Sequence, residues 1–300
     1  MPFMNTHQRA ILLMIIAPTL WSIAGVLTRH LDAARGFEIT FWRSFFSAIF
    51  VAIALTAQQG FGRAVGMVRA GGWLGVLSGM MWCVMFVCFM IALTKTTVAN
   101  TLIVMSVSPL LTAFLAWLIL KQRIAQRTWL AIIAAFIGIM WMFVKGMSNV
   151  GGQHLLGMLI AGAVPVAAAV NLIAIKQAGH GVDLIPAVLL GSVFSAALML
   201  PLAWPLQASL HDIGILAVLG FFQLGLPCML MVHAAKSLSA PEVSLLALLE
   251  VLLGPLWTWL GAGEVPARET LIGGAVVLTA LVFNEVAGMR RTAVVREAAR

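Results

Sequence analysis

Val98-Ala-Asn-Thr-Leu-Ile-Val-Met-Ser-Val-Ser-Pro-Leu-Leu-Thr-Ala-Phe-Leu-Ala-Trp-Leu-Ile-Leu120 carries no charged residue, and Lys121-Gln-Arg123 ends it. A helix needs about 20 predominantly apolar residues to cross the hydrocarbon core of a bilayer. This stretch has the length and the composition, and its boundary has the charges that a membrane surface accepts. Outward from it, the same alternation of apolar run and short polar break fills the chain. Ten candidate spans result: 8–29, 37–57, 67–93, 97–120, 127–145, 153–176, 183–205, 212–235, 240–261 and 267–288. The breaks hold turn and charge residues, among them Asp32-Ala-Ala-Arg-Gly36, Gln58-Gln-Gly60 and Gly263 to Glu269.

Composition leads to the same place. Hydrophobic types make up 62% of the 300 residues and charged types 9%. A soluble domain carries about 25% charged residues, because its surface meets water. The lipid bilayer is therefore the main solvent, and the fold class expected is an all-α membrane protein. The net charge of +8 does not point to nucleic acid, because the basic residues sit in short gaps and not in a patch beside polar or aromatic readers. The tail cluster Arg290, Arg291, Arg296 and Arg300 reads as a cytoplasmic flank beside anionic lipid. Cys83, Cys88 and Cys228 all lie in apolar runs without ligand spacing, so neither a disulfide nor a metal site is expected. No cofactor is expected, and the sequence assigns no oligomeric state. The apolar segment after Arg9 is longer than the core of a signal peptide and is read as the first span.

Lys and Arg counts in alternate gaps set the orientation. With the N-terminus cytoplasmic, twelve fall inside and five outside, and Arg43 lies within a span. An even number of spans then places both termini in the cytoplasm, with a bacterial cytoplasmic (inner) membrane as the expected location. Faint internal repetition accompanies this count. A shift of 141 residues lays Ala92-Leu-Thr-Lys95 on His233-Ala-Ala-Lys236, and Arg127-Thr-Trp-Leu130 on Arg268-Glu-Thr-Leu271. A shift of 147 lays Arg29 on Lys176 and Ala17-Pro18 on Val164-Pro165. Two units are expected, 1–148 and 149–300, each of five helices. An odd number per unit inverts the second in the membrane, the plan of many secondary transporters with a midplane site.

Several stretches are similar to the EamA-type branch of the drug/metabolite transporter superfamily. They are Ala17-Pro-Thr-Leu-Trp-Ser22, Phe41-Trp-Arg43, and the run from Ala92 through Asn100 to Ser106-Val-Ser-Pro109. In the second unit the run goes from Ser244 through Glu250 to Gly261-Ala-Gly-Glu264 and Leu271-Ile-Gly-Gly274. The Gly-Glu break that the family carries after helices 4 and 9 survives at Gly263-Glu264, whereas Lys121-Gln122 stands in the first unit. Glu250 is followed by Val251 and not by the family's proline, which comes later at Pro255. The resemblance implies a ten-helix exporter or exchanger of metabolites, with amino-acid exporters, aromatic ones among them, the nearest likeness.

The residues themselves suggest where such a solute would sit. Glu250 lies mid-helix in Leu245-Leu-Ala-Leu-Leu-Glu-Val-Leu-Leu253, where a carboxylate costs about 2.5–3.5 kcal/mol on insertion scales. It should face the bundle interior, to bind an ammonium, to carry a coupling proton, or to make a packing contact. Arg43 has three readings: snorkelling to the interface, holding a substrate carboxylate through its fork, or pairing with Glu38 or another helix. Trp21 and Ser22 in the first span, and Ser78, Trp82 and Phe86 in the third, are candidate cavity residues, together with Ser108 and Ser244. Pro18, Pro109, Pro165 and Pro255 are candidate hinges or static bends. Gly71, Gly75 and Gly79 form a small-residue stripe for close helix packing. Asn171, Gln223 and His233 read as interhelical hydrogen-bonding residues nearer span ends.

A P-loop is missing, which argues against ATP drive within the chain, and no HExxH or GxSxG motif suggests an enzyme. The expected function is export or exchange of amino acids by alternating access. Drug-like cations, nucleosides and, further off, a membrane-embedded enzyme remain the alternatives.

Overall fold

In this computed structural model the described residues are 6–120, 152–179, 182–238, 240–269, 271–280 and 282–283, with scattered positions between 126 and 141. The Lys121-Gln-Arg123 break and the tail arginines lie outside them, as does most of the candidate span 127–145. All elements among the described residues are helical. Among the described residues, seven helical segments are long and apolar enough to cross a membrane: Thr6–Thr28, Phe37–Gln59, Gly72–Lys95, Val98–Ile119, Gly152–Ala178, Ile185–Ala203 and Leu210–Ala235. Shorter apolar stretches follow at Leu246–Ala262, within the helix Ala240–Ala262, and at Leu271–Ala280.

Two boundaries differ from the sequence reading for identifiable reasons. The candidate span starting at 67 begins instead at Gly72. Gly60 at φ 78° and Gly72 at φ 49° bracket a separate helix, Phe61–Ala70, whose Phe61, Arg63, Val65 and Arg69 are exposed. Positive φ at these two positions is open to glycine at little cost and breaks the helical path. Gly71 therefore falls in the break, while Gly79 packs directly on the Ile185–Ala203 helix: a Cβ there would lie 2.8 Å from Leu190 Cβ. The first span is also divided. Thr6–Trp21 ends one turn after Pro18, and Ala24–Thr28 resumes the helix. Proline lacks the N–H that would hold the preceding turn.

The helices interleave across the middle of the chain. Ile185–Ala203 packs on both Phe37–Gln59 and Gly72–Lys95; Ala163–Ala178 packs on Gly72–Lys95 and Ser108–Leu120. Thr6–Trp21 packs on Leu226–Ala235 and Ala240–Ala262. Residues 1–148 and 149–300 thus bury their surfaces against each other. Small residues and hydroxyls make the closest seams. Ser44 and Ser47 hydrogen-bond Ser195 and Ser192 at 2.8 and 2.9 Å. At Gly220 an added Cβ would sit 2.7 Å from the Arg43 carbonyl oxygen and 2.9 Å from the Ser47 nitrogen, so backbone meets backbone there.

Candidate functional site

A cavity of about 160 Å³ lies where these seams converge. Seven of the nine residues expected to line a cavity do so: Trp21, Arg43, Trp82, Phe86, Ser108, Ser244 and Glu250. Pro109 and Pro165 also reach its wall. The rest of the lining is mainly apolar, with Met14, Met85, Phe89 and Leu102 among it.

Ser22 and Ser78 are fully engaged elsewhere. Ser22 Oγ donates to the Thr19 carbonyl at 2.7 Å and accepts from Trp257 Nε1 at 3.0 Å, which fixes the first span against Ala240–Ala262. Ser78 Oγ donates to Asn171 Oδ1 at 2.6 Å. Both join helices, and neither is on the cavity wall. Pro18 and Pro255 are likewise off the wall and shape their helices only.

Arg43 decides among its three readings. At 1% exposure it does not snorkel. Glu38 is not its partner, since one Glu38 oxygen accepts from the Gln207 and Ala208 backbone N–H groups, both at 2.8 Å, and from Trp42 Nε1. The guanidinium instead binds two neutral acceptors on other helices. Nη1 donates to Gln223 Oε1 at 3.1 Å and Nη2 to the Phe86 carbonyl at 3.0 Å. Its Cζ lies 6.0 and 5.7 Å from the rings of Phe86 and Phe89, within cation–π range.

Gln223 is the functional neighbour that the sequence reading placed too near a span end. It lies inside Leu210–Ala235, within a π-helical turn, Leu219–Gly225. Such turns re-aim side chains and recur at functional sites. Here the turn lets one amide serve two helices: Oε1 accepts from Arg43, and Nε2 donates to the Trp21 carbonyl at 3.2 Å, at the break in the first span. The flanking glycines were the available signal. Gly220 and Gly225 both meet the Phe37–Gln59 helix at distances only a missing Cβ permits.

Glu250 is half-buried on the cavity wall and has no hydrogen-bond partner among the described residues. It is not in ion-pair contact with Arg43, although both line the same cavity. The site thus presents a buried cation held by neutral groups, a carboxylate facing open space, and aromatic walls.

The sequence model of the EamA-like transporter family matches residues 8–144 and again 155–285. The chain belongs to the EamA-like transporter family. It is a multi-pass membrane transporter. It is 25% identical over 281 residues to the pseudopaline exporter CntI of two Pseudomonas aeruginosa strains, an alignment covering 92% of this chain and 95% of that one. An uncharacterized transporter of Vibrio cholerae serotype O1 is 25% identical over 140 residues, 46% of each chain. A solved chain described only as "Crystal structure of protein" shares the fold of this EamA-like transporter with a TM-score of 0.64 at 17% identity, covering 94% of this chain and 98% of the other.

Proposed function

We propose that this EamA-like transporter exports or exchanges amino acids, aromatic ones among them, by alternating access through the central cavity. The observation that carries this reading is the pairing of Arg43 and Glu250 on one aromatic-walled cavity without a direct ion pair between them. A solute with a carboxylate, an ammonium and an apolar body complements such a wall. Export as the direction is supported by the likeness to the pseudopaline exporter of Pseudomonas aeruginosa. The architecture in this proposal is ten spans in two inverted five-helix repeats, 1–148 and 149–300, in a bacterial cytoplasmic membrane with both termini inside. Two separate matches to one family model support the repeats. The Lys and Arg asymmetry supports the orientation. Pro109 and Pro165, on the wall, are the proposed hinges, while Pro18 and Pro255 set bends away from it.

Efflux from proteoliposomes preloaded with a panel of labelled solutes tests the reading, with wild type and Glu250→Gln compared with and without a pH gradient. Saturable efflux of amino acids, with gradient dependence lost in Glu250→Gln, is the expected outcome. Efflux of drug-like cations or nucleosides and of no amino acid would replace the substrate class.

A further inference from the structure

Two buried N–H donors of cavity-lining residues have no acceptor among the described residues: Arg43 Nε and Trp82 Nε1. Both residues are almost wholly buried, at 1% and 3% exposure. Leaving such a group unpaired is costly, more so when it is charged, and buried donors in folded proteins are nearly always paired. The two residues share a neighbour, Phe86, on the cavity lining. The Trp82 ring centroid lies 5.5 Å from that of Phe86, and Arg43 Cζ lies 6.0 Å from the same ring. Trp82 Cβ packs against the backbone of the Ile185–Ala203 helix, where a Cβ at Gly191 would come within 2.4 Å of it.

The Arg43 fork is already committed. Its two Nη atoms hold Gln223 and the Phe86 carbonyl, so the substrate grip through the fork, one of three readings the sequence offers, is taken up by the protein. The N–H left without a described acceptor is Nε–H, which shares the delocalised positive charge. Gln223 and the Phe86 carbonyl are neutral, and Glu250 makes no ion pair with it. An anionic oxygen acceptor is therefore favoured over a neutral one.

Resting on the amino-acid reading above, we propose that the carboxylate of the transported solute is bound jointly by Arg43 Nε–H and Trp82 Nε1–H. Trp82 then sets specificity for the free acid and is more than an aromatic wall, and Gln223 is a positioning residue that holds Arg43 in place. Esters and primary amides of the same amino acid lose the charge that this pair recognises.

The test is efflux of an aromatic amino acid, its methyl ester and its primary amide from proteoliposomes containing wild type or Trp82→Phe. Phenylalanine keeps an aromatic ring at this position and removes the N–H without stranding a protein acceptor, since none was bound. Expected are a strong wild-type preference for the acid and, in Trp82→Phe, a roughly tenfold higher half-saturating concentration for the acid, with ester and amide shifted by less than about twofold. Equal transport of acid and ester by wild type, or equal shifts for all three in Trp82→Phe, overturns the carboxylate site while leaving amino-acid transport standing. If wild type moves none of the three and no other amino acid, the function itself is wrong and this inference falls with it. The wild-type comparison holds even if the variant misfolds.

Discussion

Two cations cap helix ends in the two halves of the chain, and they do it differently. Arg29 donates from Nη1 to the Leu93 carbonyl at 2.9 Å and from Nη2 to the Thr96 carbonyl at 3.3 Å, at the end of Gly72–Lys95. Lys176 Nζ donates to the Ala235 and Leu238 carbonyls at 2.6 and 2.5 Å, at the end of Leu226–Ala235. The acceptors are three residues apart in each case, and each lies 142 positions from its counterpart. Cations at a helix C-terminus meet unpaired carbonyls and the negative end of the dipole. The difference lies in the head group. Arginine has a third nitrogen, and Nε reaches Glu264 Oε2 at 2.9 Å, while Glu264 Oε1 accepts the Val98 N–H at 2.7 Å. One carboxylate thereby ties the end of the first span to the start of Val98–Met105 and joins residues 1–148 to 149–300. Lysine is a point charge without a fork, and its two carbonyls lie in its own half. The residue 142 positions before Glu264 is Gln122, a neutral amide. The Arg29 end is thus tied across the halves through Glu264, and the carbonyl caps of the two halves match closely in geometry.

Breaking the lock should have the largest effect. Arg29→Ala removes three charge-assisted hydrogen bonds at a partly exposed site and should cost about 3 kcal/mol. Lys176→Ala removes two carbonyl caps and should cost about 2 kcal/mol. Unfolding of both variants in the same detergent micelle, followed by denaturant titration, ranks them. A larger loss for Lys176→Ala would reverse the comparison.

The capping pair was visible in the sequence only as a weak alignment of Arg29 with Lys176, and Glu264 only as the surviving half of a family break. Seven of the ten candidate spans, and roughly where they turn, could be read from run length, because the bilayer demands length and apolarity of every span. Their rotational phase could not. In a soluble helix the polar stripe marks the outside. Here both lipid and core are apolar, so exposed Leu159, Leu198 and Leu252 look like buried Leu93, Leu102 and Leu216. Charged Arg43 and Glu250 stood out because their burial is expensive wherever they point. Ser22 and Ser78 were assigned to the cavity because a hydroxyl does not announce its partner, and those partners, Trp257 and Asn171, come from distant sequence. Gln223 was undervalued because a π turn changes the phase by which its side chain projects, and nothing but the glycines around it signals such a turn.

A thermodynamic cycle sharpens the comparison between the two caps. Arg29→Ala, Glu264→Ala and the double variant should give a coupling energy of about 1 kcal/mol, the range for a pair in direct contact. The same cycle for Lys176 and Glu264 should give about zero, since Lys176 caps carbonyls in its own half. Equal coupling in both cycles would mean that Glu264 acts through the general field and not through the ring it closes with Arg29.

The smallest effect separates the fork from the charge. Arg29→Lys keeps a cation that can cap the Leu93 and Thr96 carbonyls, as Lys176 caps its own pair, but a lysine cannot also reach Glu264 in the same plane. It should cost about 1 kcal/mol, close to the coupling energy and well short of Arg29→Ala. The side chains of Arg29 and Glu264 are 29% and 17% exposed, so part of the ring's strength is open to screening. Raising ionic strength from about 0.1 M to about 1 M shortens the Debye length from about 10 Å to about 3 Å. The gap between wild type and Arg29→Lys should narrow under that change. A gap that does not move with salt would show that the ring through Glu264 adds nothing to the stability of the Arg29 end.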